Sequence, residues 1–245
     1  MKIKAVVFDK DGTLLDYEKC WLPIARVATD MVLKRYNAPE LREEIYSRLG
    51  ILSDGSVDIE APLATGSYVG VGRAYADTLD AHGIKYDVPE LTAIITDGYH
   101  TVPEDSQIVP ICDNLAEILV GLRARGIKIG FITSDDAIGA KRTLDSLGIY
   151  DLFDVGLAND RVSPQKPHPH YMSVFMEKTG LSKEEILMVG DTFADIEFGK
   201  NSGTLTLGVA RTEKNRDKLM GAADYVRRDI SHVFEVIDII EGTSV

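Results

Sequence analysis

Short apolar runs without alternation recur along this chain, and most end on polar, glycine-bearing turns. The first is Ala5–Phe8. Four consecutive apolar residues mark a strand buried on both faces of a parallel sheet. The run stops at Asp9-Lys10-Asp11-Gly12, where Gly12 permits a sharp turn that a residue with a Cβ would resist. Further strands are predicted over Lys128–Thr133, Phe153–Leu157, Ile186–Val189 and Thr204–Val209, with a short one at Tyr225-Val226. Between them, helical spacing predicts helices over Asp113–Arg125, up to Leu147 behind the capping residues Ser134-Asp135-Asp136, over His168–Thr179 and over Ser231–Ile240. Gly126, Gly148 and Gly180 stand at C-cap positions. Strands alternating with helices at this spacing predict parallel βαβ units.

The stretch from Asp16 to about Pro103 has a different texture. Leu22, Ile24, Ala25, Ala28, Met31 and Val32 predict a helix over Cys20–Tyr36. A short helix is expected over Glu40–Leu49 after Pro39, and further helices over Val71–His82 and Pro89–Thr101, with Gly50–Gly72 as a glycine-rich loop. No alternating strand stands out here. Residues 17–105 are therefore read as a helical insertion into a core made of residues 1–16 and 106–245. Gly70-Val71-Gly72 lacks the third glycine of a dinucleotide fingerprint and follows no strand, so it is read as the start of a helix.

With 245 residues and 44% hydrophobic content, the chain can bury one large core or two modest ones. Its formal charge of -12 repels nucleic acid and anionic membrane surfaces, and neither is expected as a partner. The same charge repels a phosphorylated metabolite, so such a substrate needs a local cation. No run approaches the roughly 18 apolar residues of a membrane span. Met1-Lys-Ile-Lys leads straight into the first strand, so no signal peptide is expected. Cys20 and Cys112 have no metal-type spacing, which fits a reduced, cytoplasmic setting.

The candidate chemistry sits where the buried strands stop, the edge at which open α/β sheets bind ligands. Asp9 and Asp11 follow the first strand. A carboxylate nucleophile that forms an aspartyl-phosphate is one strategy open to Asp9. Asp11 is then placed to protonate the leaving oxygen and deprotonate the attacking water. Two neighbouring carboxylates repel, so one should have a raised pKa unless a cation lies between them. Mg²⁺ is the natural bridge between carboxylates and phosphate. After the second strand, the hydroxyls of Thr133 and Ser134 and the following helix N-terminus suit a phosphate oxygen. After the third, Lys166 stands just before a helix. After the fourth come Asp191, able to complete a metal site with Asp9, and Asp195, one turn on, able to support it. An Asp-Gly turn, a capping serine or a loop lysine is common by itself; all of them in this order along one sheet edge are not.

Phe8-Asp-Lys-Asp-Gly-Thr-Leu14, Ile132-Thr-Ser134, Lys166-Pro-His-Pro169 and Val189-Gly-Asp-Thr-Phe-Ala-Asp-Ile196 resemble the four motifs of the haloacid dehalogenase superfamily. The resemblance spans nearly the whole chain and is nearest the phosphoglycolate-phosphatase-type branch, whose helical cap follows the first motif. It implies a Rossmann-like α/β core, a parallel sheet with helices on both faces, and a cap that closes over the site. It also implies that Asp9 is the nucleophile and Asp11 the acid/base. Mg²⁺ is then held by Asp9, the backbone carbonyl of Asp11 and Asp191, with Asp195 nearby, while Thr133 and Lys166 bind the transferring phosphate. Asp11 argues against dehalogenases, which lack the second acid. Trp21, where sugar-phosphate mutases of this type carry an early cap histidine, argues against a mutase.

The resemblance therefore implies a phosphatase acting on a small phosphorylated metabolite, as monomer or homodimer. Phosphoglycolate is the family-level expectation. A nucleoside monophosphate, pyrophosphate or sugar phosphate suits the same core. A phosphoacceptor signalling module shares the acids, the hydroxyl and the lysine, but it is about half this length and has no insertion. Trp21, Arg26, Ser67, Tyr68 and Arg73 are the candidates for contact with the leaving group. His168 and His170 have no cysteine or further histidine beside them to make a zinc site.

Overall fold

The computed structural model describes residues 2–65 and 68–243. It divides into two compact units, residues 1–16 with 108–245 and residues 17–107. The second boundary falls two residues later than the sequence suggests. Ser106 Oγ donates to the Cys20 carbonyl at 2.8 Å, and the Gln107 N–H donates to the Lys19 carbonyl at 3.0 Å, which ties both residues to the helical unit.

In the first unit, six parallel strands form one sheet: β1 (Ala5–Phe8), β2 (Lys128–Asp136), β3 (Val155–Asn159), β4 (Ile186–Gly190), β5 (Leu205–Val209) and β6 (Tyr225–Arg227). Their order is β3-β2-β1-β4-β5-β6. The chain adds strands on one side of β1, then returns to add the rest on the other. The order reverses between β1 and β4, the place where doubly wound sheets bind ligands. Phe8 lies in register with Phe131 and Val189, so the chain leaves β1, β2 and β4 side by side.

All four residues of β1 are fully buried, and their alternation assigns two cores. Val6 and Phe8 join Leu119, Leu122, Leu144 and Val236. Ala5 and Val7 join Met172, Phe175 and Phe198. Burying each large side chain contributes on the order of 1.5–3 kcal/mol. One face is thereby covered by the helices spanning Leu115–Ala124, Ala137–Ser146 and Val233–Glu241, and the other by those spanning His170–Thr179 and Phe193–Ser202.

Among the described residues, the second unit holds four α-helices, α1 (Tyr17–Tyr36), α2 (Arg42–Leu49), α3 (Tyr68–Ala81) and α4 (Val88–His100). They enclose their own core, which includes Leu22, Val32, Ile45, Leu49, Tyr75 and Leu91. The helices of the first unit follow in chain order as α5 (Leu115–Ala124), α6 (Ala137–Ser146), α7 (His170–Thr179), α8 (Phe193–Ser202), α9 (Glu213–Leu219) and α10 (Val233–Glu241). No helix among the described residues is long and apolar enough to cross a membrane.

Several elements depart from the sequence reading. α3 begins at Tyr68, three residues before the Val71 read from the sequence, and Gly70 and Gly72 lie in its first turns as expected. β3 begins at Val155, two residues late, because the Phe153 N–H closes the preceding turn onto the Tyr150 carbonyl at 3.2 Å. β2 runs three residues further than expected. After an irregularity beyond Ile132 it pairs again, Asp136 with Asn159.

Candidate active site

β1 delivers Asp9 at its carboxyl end, where the Asp9 N–H still donates to the Val189 carbonyl at 2.8 Å. The chain then turns back on itself. Leu14 N–H donates to the Lys10 carbonyl at 2.9 Å, and Gly12 N–H to the Leu15 carbonyl at 3.0 Å. Gly12 has φ +86°, and a Cβ there would lie 2.2 Å from Asp191 Oδ2. The turn therefore lets backbone press directly on the carboxylate that follows β4. Thr13, fully buried, donates through Oγ1 to Asp191 Oδ1 at 3.1 Å.

β4 ends at Gly190, whose missing Cβ leaves room for the Asp195 side chain. Thr192 caps α8. Asp195 Oδ2 accepts from the Thr192 N–H at 3.0 Å and from its Oγ1 at 2.6 Å. Asp195 Oδ1 accepts from Lys166 Nζ at 2.5 Å, and Lys166 also donates to Asp9 Oδ1 at 2.5 Å and to the Ile132 carbonyl at 3.2 Å. One buried ammonium thus stands between two buried carboxylates.

Asp9, Asp191 and Asp195 place carboxylate oxygens within 4.8 Å of one another. Burial raises the Asp9 carboxyl to about 7; the Lys166 charge opposes this, and the charges of Asp195 and Asp11 add to it. Lost solvation first, and then Asp195 and Asp9, push Asp191 well above the ordinary carboxylate range. Burial lowers the Lys166 ammonium, but Asp195 and Asp9 outweigh that and hold it above its usual value. Three carboxylates against one lysine leave excess negative charge in a poorly solvated place. A divalent cation with a taste for oxygen ligands fits that donor set.

Thr133 is buried, and its Oγ1 accepts the Asp135 N–H at 3.1 Å, which leaves the hydroxyl proton to donate. Ser134 is half-buried, and its carbonyl accepts from Asn159 Nδ2 at 3.2 Å. The helix N-terminus expected to help hold a phosphate is already occupied. The Asp136 carboxylate accepts the N–H groups of Ile138 and Gly139 at 3.1 and 2.9 Å. Asp136 alone caps α6, whereas Ser134 and Asp135 belong to β2. Asp136→Ala should lower stability by about 1 kcal/mol, read from the denaturant midpoint. No change would mean that water replaces the cap without loss.

Sequence reasoning passed over Lys10. Its side chain is fully buried, and Nζ lies 2.8 and 2.7 Å from the two oxygens of Asp11 and 3.2 Å from Asp135 Oδ2. A signal was present. Side chains alternate along a strand, which puts residue 10 on the face of Val6 and Phe8, where a lysine must find acids. Of the residues considered for the leaving group, Trp21 is half-buried on α1, while Arg26 on α1 and Arg73 on α3 are exposed. Tyr68 opens α3, and Ser67 lies outside the described residues.

A model of the haloacid dehalogenase-like hydrolase family matches residues 3–203. A phosphoglycolate phosphatase of Yersinia pseudotuberculosis is 32% identical over 209 residues, which cover 84% of this chain and 81% of the relative. A pyrophosphatase, PpaX, of Oceanobacillus iheyensis is 25% identical over 238 residues, 97% of this chain and 98% of the relative. Among solved structures, the HAD-hydrolase YfnB of Bacillus subtilis, bound to magnesium, superposes with a TM-score of 0.68 at 17% identity, over 97% of this chain and 100% of that one.

Proposed function

The chain belongs to the haloacid dehalogenase-like hydrolase family, and from that premise we propose that it is a Mg²⁺-dependent phosphatase of small phosphorylated metabolites. The observation that carries this reading is Asp9. It ends the central strand at the point where strand order reverses, is gripped by Lys166, and shares a small volume with Asp191 and Asp195.

In the first half-reaction a carboxylate oxygen of Asp9 attacks phosphorus while the bond from phosphorus to the leaving oxygen breaks. Asp11 gives its proton to that oxygen, so the leaving group departs as an alcohol or acid. In the second half, Asp11 takes a proton from water as the water oxygen attacks phosphorus. The bond to Asp9 breaks, inorganic phosphate leaves, and both aspartates return to their starting states. Lys166 and the Thr133 hydroxyl hold the phosphoryl oxygens where charge develops; Ser134 is the second hydroxyl assigned to them. When bound, Mg²⁺ held by Asp9, the Asp11 backbone carbonyl and Asp191 supplies positive charge that offsets the repulsion between phosphate and carboxylates. Asp195 orients Lys166 and supports the metal site.

We take phosphoglycolate as the substrate, on the strength of the 32%-identical relative, with pyrophosphate as the main comparison because PpaX matches nearly end to end. Leaving-group preference is assigned to the helical unit, with Trp21, Arg26, Tyr68 and Arg73 as the positions to vary. The test is phosphate release from a panel of phosphoglycolate, pyrophosphate, nucleoside monophosphates and sugar phosphates, with Mg²⁺ and with chelator. Release that needs the metal and falls by about 10²–10⁴-fold in Asp11→Asn is expected. Release that persists in chelator would remove the metal from the scheme, and no release from any compound would remove the phosphatase reading.

A further inference from the structure

Lys10 is an expensive residue to bury. Desolvating an ammonium costs several kcal/mol unless acids surround it. Here two acids do. Asp11 presents both of its oxygens, and Asp135 presents Oδ2. Asp135 is itself fixed. Its Oδ1 accepts the Asp136 N–H at 2.8 Å, its own N–H donates to Thr133 Oγ1 at 3.1 Å, and its carboxylate packs on Gly139 at the start of α6, where a Cβ would lie 2.7 Å from Oδ1. Asp135 does not cap α6, because Asp136 does, and it lies outside the cluster of Asp9, Asp191 and Asp195. Lys166 meets the charge of the Asp9 cluster.

The solvent exposure of these side chains is graded. Lys10 has none, Asp135 has 15% and Asp11 has 19%. The open member is thus the carboxylate assigned to proton transfer, and the closed members stand behind it. An aspartate that must reach a leaving oxygen and later a water gains from having its rotamer fixed before either arrives.

We propose that Lys10, held in place by Asp135, is a positioning residue that aims the Asp11 carboxylate and links it through the backbone of Asp135 to the Thr133 hydroxyl. This rests on the reading of Asp11 as acid/base given above. Lys10 touches neither substrate nor phosphorus in this scheme and transfers no proton.

The test uses leaving groups of different basicity. An alkyl phosphate needs Asp11 to protonate its leaving oxygen, whereas an aryl phosphate with an acidic phenol, such as 2,4-dinitrophenyl phosphate, does not. Lys10→Met keeps a straight chain of similar length but cannot hold Asp11. It should lower kcat for the alkyl phosphate by about 10–100-fold, the cost of a misplacement on the order of 1 Å, with KM within about twofold. The pre-steady-state burst of dinitrophenol, which reports transfer to Asp9, should keep its rate within about threefold. Asp135→Asn, which preserves shape and leaves Lys10 in place, should move both readings the same way by a smaller factor. It carries the comparison if Lys10→Met does not fold. Equal losses on both substrates, or no loss on either, would overturn the proposal, since a merely structural role cannot sense the leaving group. Asp11→Asn is measured alongside. If that variant turns over the alkyl phosphate at the wild-type rate, the acid/base reading itself falls, and Lys10 has nothing to aim.

Discussion

Asp9→Asn is expected to abolish phosphate release while leaving the fold intact, and in chelator at pH 8 to raise the thermal midpoint above that of the wild type. The first effect follows from chemistry. An amide is a poor nucleophile toward phosphorus, and loss of the attacking group typically costs on the order of 10⁴-fold or more. The second follows from the cluster. Asp9 shares one ammonium with Asp195, and burial raises its carboxyl to about 7. A carboxyl whose folded pKa exceeds its unfolded value of about 3.9 binds more protons folded than unfolded across that window. Its contribution to stability therefore falls as pH rises from about 4 to about 7 and stays low above that. Asparagine removes the term, and Lys166 keeps Asp195. The gap between variant and wild type should be widest near pH 8 and should close toward pH 5. A gap that does not change with pH would show that Asp9 binds no more protons folded than unfolded, so that burial does not raise its carboxyl. Added Mg²⁺ should narrow the gap by stabilising the wild type, since a ligand that binds only the folded state raises its midpoint.

That trade of stability for chemistry explains which parts of the molecule were legible in the sequence. β1 and β4 announce themselves because both faces are buried, so apolar runs are all that fits. Their tips carry acids that have no packing role, and residues of that kind stand out. α9 was not legible: in Glu213–Leu219 only Leu219 is buried, so no periodicity exists to be read. α8 was visible only through its first turn, because Ile196, Phe198, Gly199 and Ser202 are buried around much of its circumference. The late start of β3 follows from a single turn at Tyr150–Leu152 that takes the Phe153 N–H, and an apolar run does not show where such a turn ends. Ser134-Asp135-Asp136 offered three plausible caps for one helix, and only the fold chose among them.

The same limit bears on the site. Asp9, Thr133, Lys166, Asp191 and Asp195 could be named because each stands at or beyond the carboxyl end of a strand read from the sequence, on the sheet edge where ligands bind. The geometry brings Asp9, Lys166, Asp191 and Asp195 into direct contact or close to it. Asp11 is different. Its carboxylate lies against Lys10, whereas those of Asp9 and Asp195 lie against Lys166. A linear reading treats Asp9 and Asp11 as a repelling pair and asks for one cation between them. The fold supplies a lysine to each, and nothing in the spacing of the two aspartates foretells it.

Gly12→Ala should damage both stability and turnover, and Gly126→Ala separates its two causes. Both glycines hold positive φ, +86° and +74°. An alanine at either position carries backbone strain of order 1–3 kcal/mol. At Gly126 nothing lies within 4 Å of the added Cβ, so strain is the whole effect. That variant should lose about 1 kcal/mol of stability and keep wild-type kcat and an unchanged Mg²⁺ requirement. At Gly12 the Cβ would stand 2.2 Å from Asp191 Oδ2 and 2.6 Å from its Cγ. No rotation of the methyl group relieves that contact, so either the turn or the Asp191 carboxylate must move. The turn is fixed by bonds from Gly12 to Leu15 and from Leu14 to Lys10, and Asp191 by Thr13. Displacing Asp191 by about 1 Å should cut turnover by roughly 100-fold and raise the Mg²⁺ concentration needed for half-maximal rate. The paired measurement is kcat against Mg²⁺ together with the denaturant midpoint for both variants. If Gly12→Ala lost only the stability that Gly126→Ala loses, with normal metal dependence, Asp191 would have no place in the metal site.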